Sequence, residues 1–393
     1  MENVYLVNGA RTAFGGFGGS FANVGATELG TATAVEALKR SNVRAEDIDH
    51  VVYGNVIHSS VNAAYLARHI GLKAGVPKEV PALTLNRLCG SGAQAVVTAA
   101  QNILLGEADM VLAGGAENMS MSPYANFNQR FNGPKMGNMQ FEDMLTATLT
   151  DQYTGAGMGM TAEKLAEQYS ISREEQDAFA VESHQRAARA TENGVFAKEI
   201  VGVEVKTRKG TVVVDKDEHI KPEASTEVLG KLRPAFKKDG TVTAGNASGI
   251  NDGAASVVIA GQAAVDRHGL EPIARIVSWG VAGVDPTIMG IGPVPAIKQA
   301  LERAALSLED IDLFEINEAF AAQYLAVEKE LGLSRDKVNV NGGAVALGHP
   351  VGTSGTRILL SAAYELKRRG AKYAVASLCI GGGQGIAVVI EST

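Results

Sequence analysis

The chain has 393 residues, a formal net charge of −7 and 46% hydrophobic residues, which is more than one ordinary core of about 100–200 residues holds. The acidic balance gives nucleic-acid binding no electrostatic support, and no apolar run reaches the roughly 18–20 residues of a membrane-spanning helix. Two cysteines, Cys89 and Cys379, make no disulfide framework, and the seven histidines lack zinc-type spacing, so a reducing compartment and no metal are expected.

From the N-terminus, Met1–Tyr5 reads at once as strand, with no basic n-region or cleavage site, so a cytoplasmic location is expected. A helix ends on Ala37-Leu38-Lys39-Arg40. Glu46-Asp47-Ile48-Asp49 follows and leads into the strand Val51-Val52-Tyr53. Gly90-Ser91-Gly92 then opens a second helix, whose Ala93, Val96, Val97, Ala100, Ile103 and Leu104 recur at i, i+3, i+4 and i+7. The buried strand Met110–Ala113 comes next. The same order returns later in Ala300-Leu301-Glu302-Arg303, Glu309-Asp310-Ile311-Asp312, Leu313–Ile316, Ser354-Gly355 and Tyr373–Ala376, at a constant offset of 263 residues. An offset held without a gap over both matched stretches indicates an internal repeat, against the alternative of two unrelated βαβ units. Alternation of strands and helices predicts an α/β architecture with parallel sheet, in two similar domains.

Between the halves, about residues 117–245 have no counterpart. Seven of the ten methionines lie between Met119 and Met160, and Lys198–Lys238 carries ten Lys/Arg against seven Asp/Glu. Two readings stand side by side: an adaptable methionine surface lining a ligand channel with basic residues facing phosphates, or a satellite domain with a methionine core and a solvated charged face.

Four places carry residues suited to chemistry. Cys89 lies directly before the amphipathic helix, where unpaired N–H groups and the positive dipole end are expected to lower a thiol pKa; the plain alternative is a small buried hydrophobe. Asn317-Glu318-Ala319-Phe320 ends the strand Leu313–Ile316, and strand C-terminal ends are where ligands gather in such sheets. His349 stands ahead of the second repeat's helix, three residues before Gly352, the repeat counterpart of Cys89. If the halves pack about a pseudo-twofold axis, both helix N-termini face one cleft and His349 can take a proton from Cys89. Cys379 opens Gly381-Gly382-Gly383-Gln384-Gly385, a turn whose free N–H groups could hold an anionic oxygen. The strand-like Ile386–Ile390 that follows makes a nucleotide-binding loop a poor reading.

Asn86–Gly92 around Cys89, Asn317–Phe320, Gly348-His349-Pro350 and Cys379–Gly385, in this order, resemble the signatures of the thiolase family, and the likeness runs over essentially the whole chain. The resemblance implies a five-layered αβαβα fold made of two repeated domains with an inserted loop domain that carries coenzyme A. The boundaries would be residues 1–116 plus 246–270, 117–245 and 271–393. It implies Cys89 as the acylated nucleophile with His349 as its proton partner. His349 and a water on Asn317 would form one oxyanion hole, the Cys89 and Gly381 N–H groups a second, and Cys379 would move the α-proton. By the same likeness Ser248 would meet the pantetheine, Phe236 and Met289 would line its tunnel, and Met158, Ala319, Phe320 and Lys221 join the CoA-binding set. No cofactor is expected beyond coenzyme A as substrate and product, and the partners would be acyl-CoA molecules and further copies of the chain, as a homodimer or homotetramer.

The expected reaction is acetyl transfer between two acetyl-CoA molecules and its reversal. Broader chain length is the alternative. Gly157 replaces a His that acetyl-specialised members often carry, and Tyr65–His69 and Met289–Pro295 resemble members of broader range. Lys221 stands where an Arg is common, which keeps the charge without the planar fork. A ketoacyl-synthase-like enzyme would typically show a second His instead of Cys379, and a non-enzymatic lipid carrier would tolerate loss of these residues.

Overall fold

The structure, a computed structural model, describes residues 3–393; the strand expected at Met1–Tyr5 begins at Val4, and Met1 and Glu2 lie outside the described residues. A ten-stranded sheet forms the framework. Its strands are β1 (Val4–Arg11), β2 (His50–Gly54), β3 (Ala82–Leu85), β4 (Met110–Asn118), β5 (Asn251–Gly261), β6 (Ala274–Gly283), β7 (Leu313–Ile316), β8 (Tyr373–Ile380) and β9 (Gln384–Ser392). They run in the order β7-β8-β9-β6-β1-β5-β4-β2-β3, with Gly15–Gly16 as a short tenth strand against the start of β5.

The parallel sheet expected from the sequence is found only at the two ends, where β4, β2 and β3 pair in parallel and β7 pairs in parallel with β8. The middle is antiparallel. The reason lies in the connections. Gly381-Gly382-Gly383 joins β8 to β9, and a link that short can only reverse the chain; parallel neighbours need a crossover of a dozen residues or more.

Strand side chains alternate between faces, and here both faces are buried. On β9, Ile386, Val388 and Ile390 join one cluster while Ala387 and Val389 join another. Three large apolar clusters result, one per helix layer. α1 (Ala26–Arg40) and α2 (Leu66–Lys73) cover the outer face of the first half. α3 (Ser91–Leu104) and α8 (Ser354–Arg369) lie between the halves. α6 (Pro293–Ala304) and α7 (Ala321–Leu331) cover the outer face of the second. The layers are therefore αβαβα, with the two half-sheets joined where Val4–Leu6 pairs with Ala274–Ile276.

The repeat is visible atom by atom. The Asp49 carboxylate accepts from the N–H groups of Asp109 (2.8 Å) and Met110 (2.9 Å), and Asp312 accepts from Lys372 (2.8 Å) and Tyr373 (3.0 Å). Each aspartate thus staples the start of one strand to the next. The repeated Ser-Gly pairs mark where α3 crosses α8. A Cβ on Gly92 would lie 2.7 Å from the Thr356 nitrogen, and the Gly355 position meets the Ala93 nitrogen in the same way, so only glycine permits this approach. Thr356 Oγ1 completes the crossing by donating to the Gly92 carbonyl at 3.0 Å.

The insertion grows between β4 and β5, the place that the three-glycine turn occupies in the second half. Two of its helices, α4 (Met158–Gln168) and α5 (Arg173–Glu192), pack onto the α7 layer. α5 starts at a capping box in which Ser172 Oγ accepts from the Glu175 N–H while the Glu175 carboxylate accepts from the Ser172 N–H. The segment has no methionine core: Met136 is 91% exposed, Met139 and Met160 are also exposed, and Met119 is buried in a small cluster beside Cys89. Among the described residues no helix is long and apolar enough to cross a membrane.

Candidate active site

Cys89 ends a turn that its own sequence builds. Asn86 Oδ1 accepts from the Leu88 N–H at 2.8 Å. Ser91 Oγ accepts from the Arg87 N–H at 2.8 Å and donates to the Leu88 carbonyl at 2.7 Å. Leu88 is held at φ +46, a conformation uncommon outside glycine. Gly90 packs closely on the second half, since a Cβ there would meet Ile380 Cδ1 at 2.5 Å. The Gly381 N–H faces the Cys89 sulfur closely enough to favour its thiolate. Cys379, two residues before Gly381, is fully buried at the end of β8 and is close enough to feel the charge of Cys89. The two cysteines, far apart in sequence, thus share one site.

The protonation states differ from the sequence expectation. Burial pushes the Cys89 thiol up to about 11, and the Gly381 N–H offsets this only in part; Glu117 adds to the rise. Helix-terminal position alone therefore does not produce a thiolate, although Cys89 is only half-buried. Burial, with the Cys89 charge behind it, raises Cys379 as well.

The second half contributes a neutral imidazole. His349 is buried, and its N–H donates to Asn251 Oδ1 at 3.0 Å. Burial, aided by the Arg357 cation, pushes its pKa down to about 3, so the imidazole is neutral. Its Nδ1 lies 2.6 Å from Ser354 Oγ, which also lies 3.1 Å from the Pro350 carbonyl. A carbonyl only accepts, so the hydroxyl proton goes there and Nδ1–H donates to Ser354. That leaves Nε2 as the acceptor, toward which the Asn317 Nδ2 amide donates at 3.4 Å. Asn317 Oδ1 is buried without a partner among the described residues. Asn317 itself is fixed at the end of β7 by its N–H to the Ser377 carbonyl, 2.9 Å. Glu318 is a strut: its carboxylate accepts from Ser183 Oγ, Asn339 Nδ2 and the Val345 N–H, tying α5 to the loop before His349.

The other sequence candidates form a row leading away from this centre. Met158 begins α4, and its sulfur lies 3.3 Å from where a Gly381 Cβ would be. Phe236 packs over Gly159 and stands edge-on to Phe320, with ring centres 6.0 Å apart. The Ser248 N–H donates to the Ala319 carbonyl at 3.0 Å, and Ala247 bridges to Phe320. Met289, Ala319, Phe320 and Cys379 share one buried cluster. Lys221 stands apart from the centre: its N–H donates to His184 Nδ1 at 3.1 Å, beside His219, which packs on Gly249 next to Ser248. A cavity of about 250 Å³ opens beside Cys89, lined by Val56, Leu88, Ala147, Met158, Gly381 and Gly382 among others.

Sequence reasoning did not assign roles to Ser354, Asn251 or Glu117. Ser354 carried a signal, since it repeats Ser91. Asn251 and Glu117 reach the His349 loop from 98 and 235 residues away, and no local pattern announces them.

The chain matches the family models "Thiolase, N-terminal domain" over residues 4–263 and "Thiolase, C-terminal domain" over residues 270–392. It is 55% identical to the mitochondrial 3-ketoacyl-CoA thiolase of Homo sapiens over 394 residues, covering 100% of this chain and 99% of that protein. It is 49% identical to an acetyl-CoA acetyltransferase of Syntrophomonas wolfei over 398 residues, with 100% and 99% covered. The crystal structure of human mitochondrial 3-ketoacyl-CoA thiolase superposes with a TM-score of 0.98 at 54% identity, covering 100% of this chain and 99% of that one. The chain belongs to the thiolase family, and it is an acyltransferase with the thiolase fold.

Proposed function

We propose that this chain is a 3-ketoacyl-CoA thiolase of more than one chain length, cleaving its substrate with CoA to acetyl-CoA and a shortened acyl-CoA, and condensing in reverse. The observation that carries the reading is the convergence of the Cys89 sulfur, the Gly381 N–H and Cys379, with a cavity lined by Val56, Leu88, Met158 and Gly381 next to them in the chain. Gly157 immediately precedes Met158 and adds no side chain to that wall. Acetyl transfer between two acetyl-CoA molecules, the sequence expectation, is the second reading; the acetyl-CoA acetyltransferase relative favours it. Thiolysis of acetoacetyl-CoA and of a C8–C10 3-ketoacyl-CoA separates them: comparable or higher kcat/KM on the longer substrate supports the first, and failure to turn it over leaves only the second.

In the thiolytic direction His349 Nε2 takes the Cys89 proton, and the thiolate attacks the 3-keto carbonyl. The N–H groups of Cys89 and Gly381 hold the oxyanion of that adduct. Carbon–carbon cleavage releases the enolate of acetyl-CoA, stabilised by His349 and a water on Asn317 and protonated at carbon by Cys379. CoA then takes the acyl group from Cys89. Condensation is the same path backward. The row from Met158 and Phe236 through Phe320, Ala319 and Ser248 holds the pantetheine, with Met289 behind it and Lys221 nearest the phosphates. Residues 117–245 act as the CoA-binding loop domain. No cofactor takes part, since coenzyme A enters and leaves as substrate and product.

The same proposal includes a homodimer or homotetramer. Phe131, Met136 and Tyr153 on the insertion and Val61 near α2 are 89–98% exposed, apolar area that a second copy would cover. Light scattering after gel filtration decides the state. It also includes the cytoplasm as the compartment; the human relative is named mitochondrial, and imaging of a tagged chain decides that point.

A further inference from the structure

Glu117 ends up in the interior with no part in the chemistry above, and its surroundings are unusual. It is fully buried on β4. One oxygen accepts from the Val56 N–H (2.9 Å) and the Gly352 N–H (3.0 Å), the other from the Ile57 N–H (3.1 Å) and Asn55 Nδ2 (3.1 Å). Four donors and no acceptor are the surroundings of an anion, against a burial cost that pushes the carboxyl up to about 8. No neutral side chain of this size can accept four such bonds.

The donors belong to both sides of the reacting centre. Gly352 closes the tight turn that begins at His349, where the Thr353 and Ser354 N–H groups donate to the Pro350 carbonyl. Val56 leads to the other side: its carbonyl accepts from Asn86 Nδ2 at 3.2 Å, and Asn86 Oδ1 holds the Leu88 N–H of the Cys89 turn. An unbroken chain of bonds thus runs from the His349 turn through Glu117 and the Val56 peptide to Cys89. The internal repeat provides a control. The counterpart of Glu117 is Ile380 and the counterpart of Gly352 is Cys89. Where the second half would set a carboxylate against the nucleophile, it has an isoleucine packed on Gly90.

We propose that Glu117 is a positioning residue that sets the spacing between the His349 turn and the Cys89 turn across the pseudo-twofold seam. This rests on Cys89 and His349 being the reacting pair. Glu117→Gln keeps the shape but turns an NH₂ toward two of the four donors. The negative charge of Glu117, which the Gln variant lacks, also opposes the Cys89 thiolate. The other titratable groups in play, Cys379 on β8 against Cys89 and Asp252 on β5 against Glu117, are unchanged in the variant.

The test measures acetoacetyl-CoA thiolysis and iodoacetamide labelling of Cys89 against pH, in the full chain, for wild type, Glu117→Gln and Glu117→Asp. The expected result for Glu117→Gln is a kcat lower by about 10- to 100-fold per folded molecule, with KM within about threefold. Labelling should shift to lower pH because the opposing charge is gone, and Glu117→Asp should recover part of kcat. Asn55→Ala, which removes one donor, should lower kcat in the same sense by less, and it carries the test if Glu117→Gln does not fold. A Glu117→Gln enzyme with unchanged kcat per folded molecule and an unchanged labelling profile overturns the proposal, as does a foldable Asn55→Ala with wild-type kcat. If wild-type Cys89 is not the labelled or acylated residue, it is the proposed function that fails instead.

Discussion

Where α3 crosses α8 the two halves of the chain are nearly interchangeable; in the loops around the crossing they are not. Both halves present Ser-Gly at the contact and both staple the next strand with an aspartate. Yet position 89 is Cys and its counterpart 352 is Gly; position 117 is Glu and its counterpart 380 is Ile. The link after β4 holds the whole insertion, while the link after β8 is three glycines. The shared parts bring two helix N-termini together. On the proposed function, the unshared parts give one half the nucleophile and the substrate-facing insertion, and the other the base, the second thiol and the N–H turn. Symmetry builds the cleft, and its loss divides the labour.

The strongest way to break this picture is to remove the sulfur atoms singly. Cys89→Ala should abolish turnover and leave no radiolabel on the protein after incubation with acetyl-CoA. Cys379→Ala should lose about 10²–10⁴ in turnover, the range of a general acid–base contribution, yet still take up label slowly on Cys89. An unlabelled Cys379→Ala protein would show that the two halves do not divide the steps as argued.

A second test concerns the resting thiol. Burial raises Cys89 to about 11, so at pH 7 the thiolate fraction is about a hundredfold smaller than for a free thiol. The sign follows directly: below that value each added pH unit multiplies the thiolate by about ten, so labelling by iodoacetamide should climb steadily from pH 7 to pH 10. A plateau near pH 8 would mean that the helix N-terminus outweighs burial after all. His349→Asn should leave this profile climbing while removing turnover, because His349 is neutral and acts only once substrate is present.

The crossing can be tested by a single methyl on either side. Gly355→Ala places Cβ against the backbone nitrogen of Ala93 and Gly92→Ala against that of Thr356. Backbone cannot step aside as a side chain can, so each should cost about 1–3 kcal/mol in urea unfolding, the range of overpacked cores. Activity should fall with it, because both helix N-termini shift. A Gly355→Ala protein of wild-type stability would show that the contact is looser than described.

How much of this was legible in the sequence follows from the range of each interaction. The repeat was readable because helix periodicity, Ile-Asp and Ser-Gly are local patterns, and all of them recur in register. Cys89, His349, Asn317 and Cys379 stood out as candidates because each sits next to glycine or at a strand end. The antiparallel centre was not, since it depends on which strands the insertion and the glycine turn bring side by side. Nor was the raised thiol pKa, which comes from partial burial against a cluster that gathers Val56, Met119, Leu145 and Val351 from distant parts of the chain. Glu117 shows the limit most clearly: it sits in an ordinary strand sequence, and one of its donors is 235 residues away.

The smallest expected effect bears most directly on the comparison. Asp49 and Asp312 are both exposed, each accepts two backbone N–H bonds at the start of the neighbouring strand, and neither touches the cleft. Hydrogen bonds to a charged acceptor contribute about 1.5–3 kcal/mol when well shielded, and exposure with salt screening reduces that. Asp49→Ala and Asp312→Ala should therefore each lose about 1–2 kcal/mol in urea unfolding, by amounts that agree within about 0.5 kcal/mol. Acetoacetyl-CoA thiolysis should stay at the wild-type rate in both. Since the residues lie in different halves of one sheet, the double variant should show the sum. Unequal losses would mean that the repeat is alike in backbone geometry but not in energetics, and a loss of activity in only one variant would tie that half's strand register to the site. Equal, additive and catalytically silent losses are what a duplicated scaffold predicts, with the chemistry confined to the positions where the copies differ.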